Sequence, residues 1–182
     1  MYYLCREFKR VMNERGDEQA STLFFRESLL HEMYFSEKPR LAELTVRYEA
    51  LRCDIMQQYY MNKDYDNVIR IATSLDFHDD ADPNASCLVY YYKAQAYVKL
   101  ENYPMAKEAF FREFELRKKY LGWEDEDTIL ACQNLGVLHS FCNEREEALA
   151  CFREAYGHEV KKNGEDSEMA QKLLQYISVV ES

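Results

Sequence analysis

Six cysteines and four histidines are among the side chains here with the chemistry to bind a metal or attack a substrate. The cysteines are Cys5, Cys53, Cys87, Cys132, Cys142 and Cys151. None forms a C-x-x-C pair, and no histidine stands at zinc-finger spacing from any two of them. His31-Glu32 opens like an H-E-x-x-H helix, but Met33, Tyr34 and Phe35 follow and the second histidine is missing. Between Asp76 and Ala85, DFHDDADPNA gathers His78, Asp79, Asp80 and Asp82. A calcium loop needs acids at alternate positions, a glycine at six and a glutamate at twelve. This stretch lacks that spacing and reads as a solvated loop. The glycines Gly16, Gly122, Gly136, Gly157 and Gly164 make no G-x-G or Walker spacing, and no G-x-S-x-G elbow occurs. His139 and a neighbouring thiol could form a nucleophilic dyad, yet its place on a mostly apolar helix face reads as a packed ring. Glu146-Glu147 reads as solvated surface. The expectation is a chain that is not an enzyme and carries neither cofactor nor metal.

The elements that must position these groups are helices. The stretch Thr128 to Gly164 splits at Cys142-Asn143 into two segments with helical apolar spacing. Ile129, Cys132, Leu135, Val137 and His139 mark one face of the first, with Gly136 inside it. Ala148, Cys151, Phe152 and Ala155 fall at i, i+3, i+4 and i+7 in the second. Asn143 followed by Glu146 predicts a capping box at the second helix. The expected product is a helix–turn–helix hairpin with small residues at the close approach.

This hairpin recurs. A shift of 42 residues back carries Cys132, Gly136, His139, Ala148, Phe152 and Gly164 onto Tyr90, Ala94, Tyr97, Ala106, Phe110 and Gly122. A further 38 carries Tyr97, Tyr103, Ala106 and Phe110 onto Tyr59, Tyr65, Val68 and Ala72. Gly16-Asp17 with Ala20 and Phe24 begins a fourth copy. The pattern resembles the tetratricopeptide repeat, with its W-x2-L-G-x2-Y and A-x3-F signature. Leu135-Gly136 stand at L-G, His139 replaces the Tyr, Cys132 the Trp, and Ala148 with Phe152 match A-x3-F. Lys93 at the Leu place and Glu113 at the last small place depart from it. The 42-residue spacing is similar to the kinesin-light-chain-like branch of that family, though Glu124 to Asp127 stand where that branch has His-Pro in its linker.

The resemblance implies an all-α fold, an α-solenoid of about four hairpins plus a C-terminal closing helix, forming one domain over 1–182. The hairpins are expected at about 1–36, 39–76, 84–121 and 127–163, with the closing helix over 166–181. Pro39 and Pro104 suit first helical turns. Asp64, Asn84, Asp125 or Asp127, and Asp166 are the expected caps.

Composition limits the partners. The net charge of −10 opposes generic nucleic-acid binding, which needs a cationic surface to release counterions. It equally opposes a polybasic membrane anchor, and it favours a basic partner. No apolar run approaches a membrane span, and Met1-Tyr2-Tyr3 does not open a signal peptide. Cysteines on helix-facing positions behave as small apolar groups, so a reducing, cytoplasmic setting is expected. The oligomeric state stays open.

What remains is surface. In tetratricopeptide arrays the first helix of each hairpin lines a concave groove that takes extended peptides or helices. By that resemblance the groove residues include Gln57 and Tyr60, then Tyr91, Gln95 and Lys99, then Gln133, Asn134, Val137 and Phe141. Kinesin-light-chain-like repeats use an Asn before L-A or L-G to hold a partner's backbone. Asn134 occupies that place, whereas Asp54 and Tyr92 stand at the equivalent positions of the earlier hairpins. Lys9, Lys99 and Arg6 are scattered, so no carboxylate clamp for an acidic tail is formed. The expected function is a protein- or peptide-binding adaptor or scaffold. The alternative is a peptide-sensing regulatory domain of a larger signalling or transcriptional regulator.

Overall fold

The computed structural model describes residues 42–73 and 83–182. The expected hairpin at 1–36, Pro39, and the loop from Asp76 up to residue 82 lie outside the described residues. Seven helices are described: α1 (Ala42–Met61), α2 (Tyr65–Thr73), α3 (Pro83–Lys99), α4 (Tyr103–Tyr120), α5 (Glu126–Phe141), α6 (Arg145–Asn163) and α7 (Glu168–Glu181). The chain divides into two compact units, one ending at Tyr92 and one beginning at Lys93.

The repeat register is visible in the turns. Lys63, Glu101 and Asn143 carry φ of 61°, 57° and 58°, at spacings of 38 and 42 residues. Each sits in the same hydrogen-bond pattern. The N–H of Lys63, Glu101 and Asn143 donates to the carbonyls of Tyr60, Val98 and Ser140. The next N–H, of Asp64, Asn102 and Glu144, donates to the carbonyls of Tyr59, Tyr97 and His139. This is a Schellman closure, which places one left-handed residue just past a helix end and satisfies its last carbonyls. The following helix then starts from Asp64, Asn102 or Glu144, whose carbonyls accept from Val68, Ala106 and Ala148. Left-handed backbone costs a non-glycine residue about 1–2 kcal/mol, less for Asn. Glu101→Gly is therefore expected to raise stability by about 0.5–1 kcal/mol after the glycine's larger unfolded-state freedom is subtracted. Asn143→Gly should gain less, and urea titration of both variants against the parent checks the order.

Three expected caps shift for reasons visible here. Asn143 is the left-handed residue and cannot cap. Glu144 takes the N-cap place with no side-chain cap bond. Helix α3 begins at Pro83, so Asn84 lies inside its first turn. Helix α7 is capped by Ser167, whose Oγ accepts from the Ala170 N–H at 3.1 Å, one residue beyond Asp166. Asp64 and Asp125 cap as expected, accepting from the N–H of Asn67 at 3.3 Å and Thr128 at 3.1 Å.

In the first unit α1 packs on α2, burying Ile55, Met56, Val68 and Ile71. Arg52 is fully buried there. Its Nη2 donates to the carbonyls of Ile71 at 3.2 Å and Ala72 at 2.9 Å. A cation thus meets carbonyls of the last described turn of α2, at the negative end of its dipole. Cys53 Sγ donates to the Ala85 carbonyl at 3.3 Å and ties α1 to α3.

In the second unit α4 packs on α5, α5 on α6, and α6 on α7. The small and large residues of the recurring signature are its core: Ala94, Ala106, Phe110, Ala148, Phe152 and Ala155 are buried. A Cβ on Gly136 would stand 2.7 Å from Phe152 Cε1 and 3.1 Å from Cys151 Cβ. Only glycine permits α5 and α6 to approach this closely with the ring between them. Gly122 and Gly164, a repeat apart, both have positive φ of 72° and 86° where the chain leaves α4 and α6.

Candidate functional site

Two faces carry the residues that the sequence singles out. On the first unit, α1 and α3 are first helices of successive hairpins. Tyr60 of α1 meets Tyr92 of α3 with ring centroids 5.8 Å apart and planes at 52°. Tyr60 also meets Tyr65 at 5.6 Å, and Tyr92 meets Tyr91 at 5.4 Å and 71°. These offset, tilted contacts suit the ring quadrupole. All four rings are half-buried. Burial, then the neighbouring Tyr65, pushes the Tyr60 phenol above its ordinary pKa. Burial, then Tyr91, Cys53, Tyr60 and Asp54, does the same at Tyr92. Both phenols therefore stay neutral donors near neutral pH. Gln57 is exposed one turn before Met61, which is exposed as well.

On the second unit, α5 and α7 flank a cleft of about 270 Å³. Its walls are Val137, Ser140 and Phe141 from α5 and Tyr176, Val179 and Val180 from α7, with Phe152 of α6 at its floor. The Phe152 and Tyr176 rings touch at 5.2 Å. Phe141 stacks in parallel on Tyr103 at 6.5 Å and remains 68% exposed, while Val179 is 72% exposed. Burying such side chains against a partner removes apolar surface from water without first breaking a hydrogen bond. Arg153 Nη2 reaches Glu181 Oε1 at 2.6 Å, and Arg145 bonds the Glu181 carbonyl, which holds the end of α7 against α6.

The structure brings Tyr60 and Tyr91 to one face and Val137 and Phe141 to the other. Gln95 is half-buried and Lys99 exposed, and neither lines the cleft. Asn134 is half-buried and its side chain makes no hydrogen bond among the described residues. Gln133 departs from the expectation of a groove residue. It is 3% exposed, and its Oε1 is buried with no hydrogen-bond partner. The helix turns it inward, beside Cys132, where no partner reaches it.

The residues missed are Tyr176 and Val179. One more 42-residue step from Asn134 and Val137 lands on them. The same step carries the cap Asp125 onto Ser167. Helix α7 thus keeps the register of a first hairpin helix, as well as covering α6.

The reactive side chains are placed for packing. His139 Nδ1 lies 2.5 Å from Glu144 Oε2 rather than against a thiol. Lys107 Nζ lies 2.5 Å from the other oxygen of that carboxylate. Lys107 first, then His139, holds Glu144 below the ordinary carboxylate range. Cys132 is fully buried and its Sγ donates to the Cys151 carbonyl at 3.3 Å. The adjoining Cys151 thiol and burial push the Cys132 thiol far above its usual range, which removes thiolate character.

No family model matches the sequence, and no curated protein matches it. Among solved structures the chain is similar to BtubC (BKLC) from P. vanneervenii, with a TM-score of 0.56 at 16% identity. The likeness covers 90% of this chain and 65% of that one, so this chain spans less than two thirds of that protein's length. The fold is a tetratricopeptide-like α-solenoid of helix hairpins. No described helix is long and apolar enough to cross a membrane.

Proposed function

We propose that this chain is a protein-interaction module that binds a polypeptide partner along the first helices of its hairpins, as an adaptor or scaffold. The observation that carries the reading is the apolar cleft between α5 and α7, with Phe141 and Val179 exposed at its mouth. A cleft of about 270 Å³ has room for one large apolar side chain of a bound segment. Half-buried Asn134 lies on the same helix with a free amide, able both to donate to and accept from a partner's backbone. The tetratricopeptide-like fold supports the reading, since arrays of this kind present extended binding surfaces on rigid helices, and a preformed surface lowers the ordering cost of binding. The buried thiols of Cys53, Cys87 and Cys132 support a reducing, cytoplasmic setting.

The test is selection of displayed random peptides on the parent chain. The expected result is a set of binders sharing one large apolar residue. Phe141→Lys and Val179→Lys should each weaken them about tenfold or more, with helicity preserved by circular dichroism. Equal binding to the variants would remove the cleft from the reading.

A further inference from the structure

Helix α7 keeps the register of α5, so the two can be compared position by position. Each begins with a glutamate, Glu126 or Glu168, behind a side-chain cap from Asp125 or Ser167. Thr128 and Ala131 are buried on α5, and their counterparts Ala170 and Leu173 are buried on α7. The next side of the two helices differs. On α5 it holds Cys132, Leu135 and Gly136, all buried, and α6 covers it. Cys132 Sγ donates to the Cys151 carbonyl of α6, and Phe152 of α6 lies over Gly136. On α7 the counterparts are Leu174, Ile177 and Ser178. Leu174 is 38% exposed, Ile177 is half-buried and Ser178 is exposed. Among the described residues only α6 packs extensively on α7, and it takes the side of Ala170 and Leu173. We infer that the Leu174–Ser178 side of α7 receives a helix from a partner polypeptide, which completes a hairpin there as α6 does on α5.

The α5–α6 interface tells what that helix must carry. Ala148, Phe152 and Ala155 are the buried stripe of α6, a ring with a small residue four places before it and three after. The receiving helix must be small where the ring lands. Gly136 meets that need on α5, and Ala94 stands at the same place on α3, buried in a repeat whose ring is the buried Phe110. Ser178 keeps the place small on α7, and its hydroxyl can bond the carbonyl one turn back once covered. Covering Leu174 and Ile177 removes apolar surface from water. Charge sets the direction. Lys162, ten residues after Phe152, reaches Glu126 Oε1 at 3.4 Å. Glu168 is exposed at the matching place on α7, ready for a lysine or arginine near the C-terminal end of an antiparallel helix. The net charge of −10 draws such a basic helix and opposes a second copy of the chain in its place. The inference goes beyond the cleft reading, since Leu174, Ile177 and Ser178 do not line that cleft.

The experiment is fluorescence anisotropy of a labelled peptide with the sequence of residues 144–164, held helical by a lactam staple on its polar face. The parent chain should bind it saturably. Leu174→Glu and Ser178→Phe should each weaken it about tenfold, and Glu168→Lys about threefold. A peptide carrying Phe152→Ser should bind the parent about tenfold more weakly. Leu174, Ser178 and Glu168 are exposed, so these variants keep their fold, which circular dichroism checks. Phe111→Gln removes an exposed ring of α4 and should leave binding unchanged. No binding of the stapled helix would overturn the inference. Binding that ignores the α7 variants would mean that the peptide replaces α6 on α5, and would overturn it too. Equal weakening by Phe111→Gln would reduce the effect to general stickiness, with the same consequence. Sedimentation of the parent chain tests the other occupant: a dimer that Leu174→Glu dissociates would assign the face to a second copy and overturn the inference. A peptide selected on the cleft is the companion measurement, and it should bind together with the helix. Competition between them would place the helix in the cleft and overturn the inference. If the cleft peptide binds and the helix does not, only this inference falls; if the helix binds and no cleft peptide is found, only the cleft reading falls.

Discussion

Phe152→Ala is expected to destabilise the second unit by about 3–5 kcal/mol, the range for removing a buried aromatic ring and leaving a cavity. Phe152 is 1% exposed and lies over Gly136, where an added Cβ on α5 would also stand 3.1 Å from Cys151 Cβ of α6. The pairing makes a sharper test than the single variant. Gly136→Val alone should destabilise, because its Cβ would start 2.7 Å from the ring and the ring has no free direction in a packed hairpin. Combined with Phe152→Ala, the same valine fills part of the vacated space. The double variant should lose less than the two singles added together, a coupling expected for residues in contact. Urea unfolding followed by the single tryptophan gives the readout. Trp123 stacks on His158 of α6 at 4.0 Å and touches Phe114 of α4 at 5.6 Å, so it reports on these hairpins. A loss below about 1 kcal/mol for Phe152→Ala would show that the ring is not the packing centre assigned to it. The ring also floors the cleft, so the variant should lose peptide binding together with stability.

Glu113→Gln is expected to flatten the stability of the chain between about pH 4.5 and 7. Glu113 is 2% exposed on α4, and burial pushes its carboxyl up to about 7, against the opposing pull of Arg117. Arg117 Nε donates to Glu113 Oε1 at 2.9 Å, and its Nη1 reaches Asp127 Oδ2 at 3.2 Å on α5. Glu113 Oε2 is buried with no hydrogen-bond partner. A raised carboxyl pKa means that the folded state holds the proton more tightly than the unfolded chain. The stabilising contribution is complete below the unfolded value near 4.5, declines as pH rises, and is gone above about 7. The full span is on the order of 3 kcal/mol. Other groups titrate in the same range, so the quantity to measure is parent minus variant across pH. The variant should gain on the parent as pH rises. If it loses instead, attraction to Arg117 outweighs burial, and Glu113 is ionised in the folded chain.

The two predictions separate what is local from what is not. The signature residues Gly136, Ala148, Phe152 and Ala155 fell on helical spacing and proved to be the packed interface. The 42-residue shift joined Gly164 to Gly122, and both carry positive φ. These features are legible because a repeat writes the same hairpin more than once, and because turn geometry depends on a few adjacent residues. Helix extents were legible for the same reason, to within a residue or two at most ends. Glu113 was not. In sequence it is a charged residue at a small-residue position; its meaning comes from Arg117 one turn later and from Asp127 on the next helix. Asn143 departs from its expected capping role for a related reason. Asn suits both an N-cap and a left-handed turn, and the Schellman closure of α5 settles which is formed.

An all-α repeat fold, its register and its turn glycines are legible in the spacing of residues along the chain. Spacing and residue chemistry within one hairpin suffice for these. Tertiary packing settles the rest: Gln133 turns inward, and Tyr176 and Val179 complete a cleft with Val137 and Phe141. Those outcomes depend on how far each helix rotates and how closely it approaches its neighbour. Side chains distant in sequence set both quantities by the way they pack together.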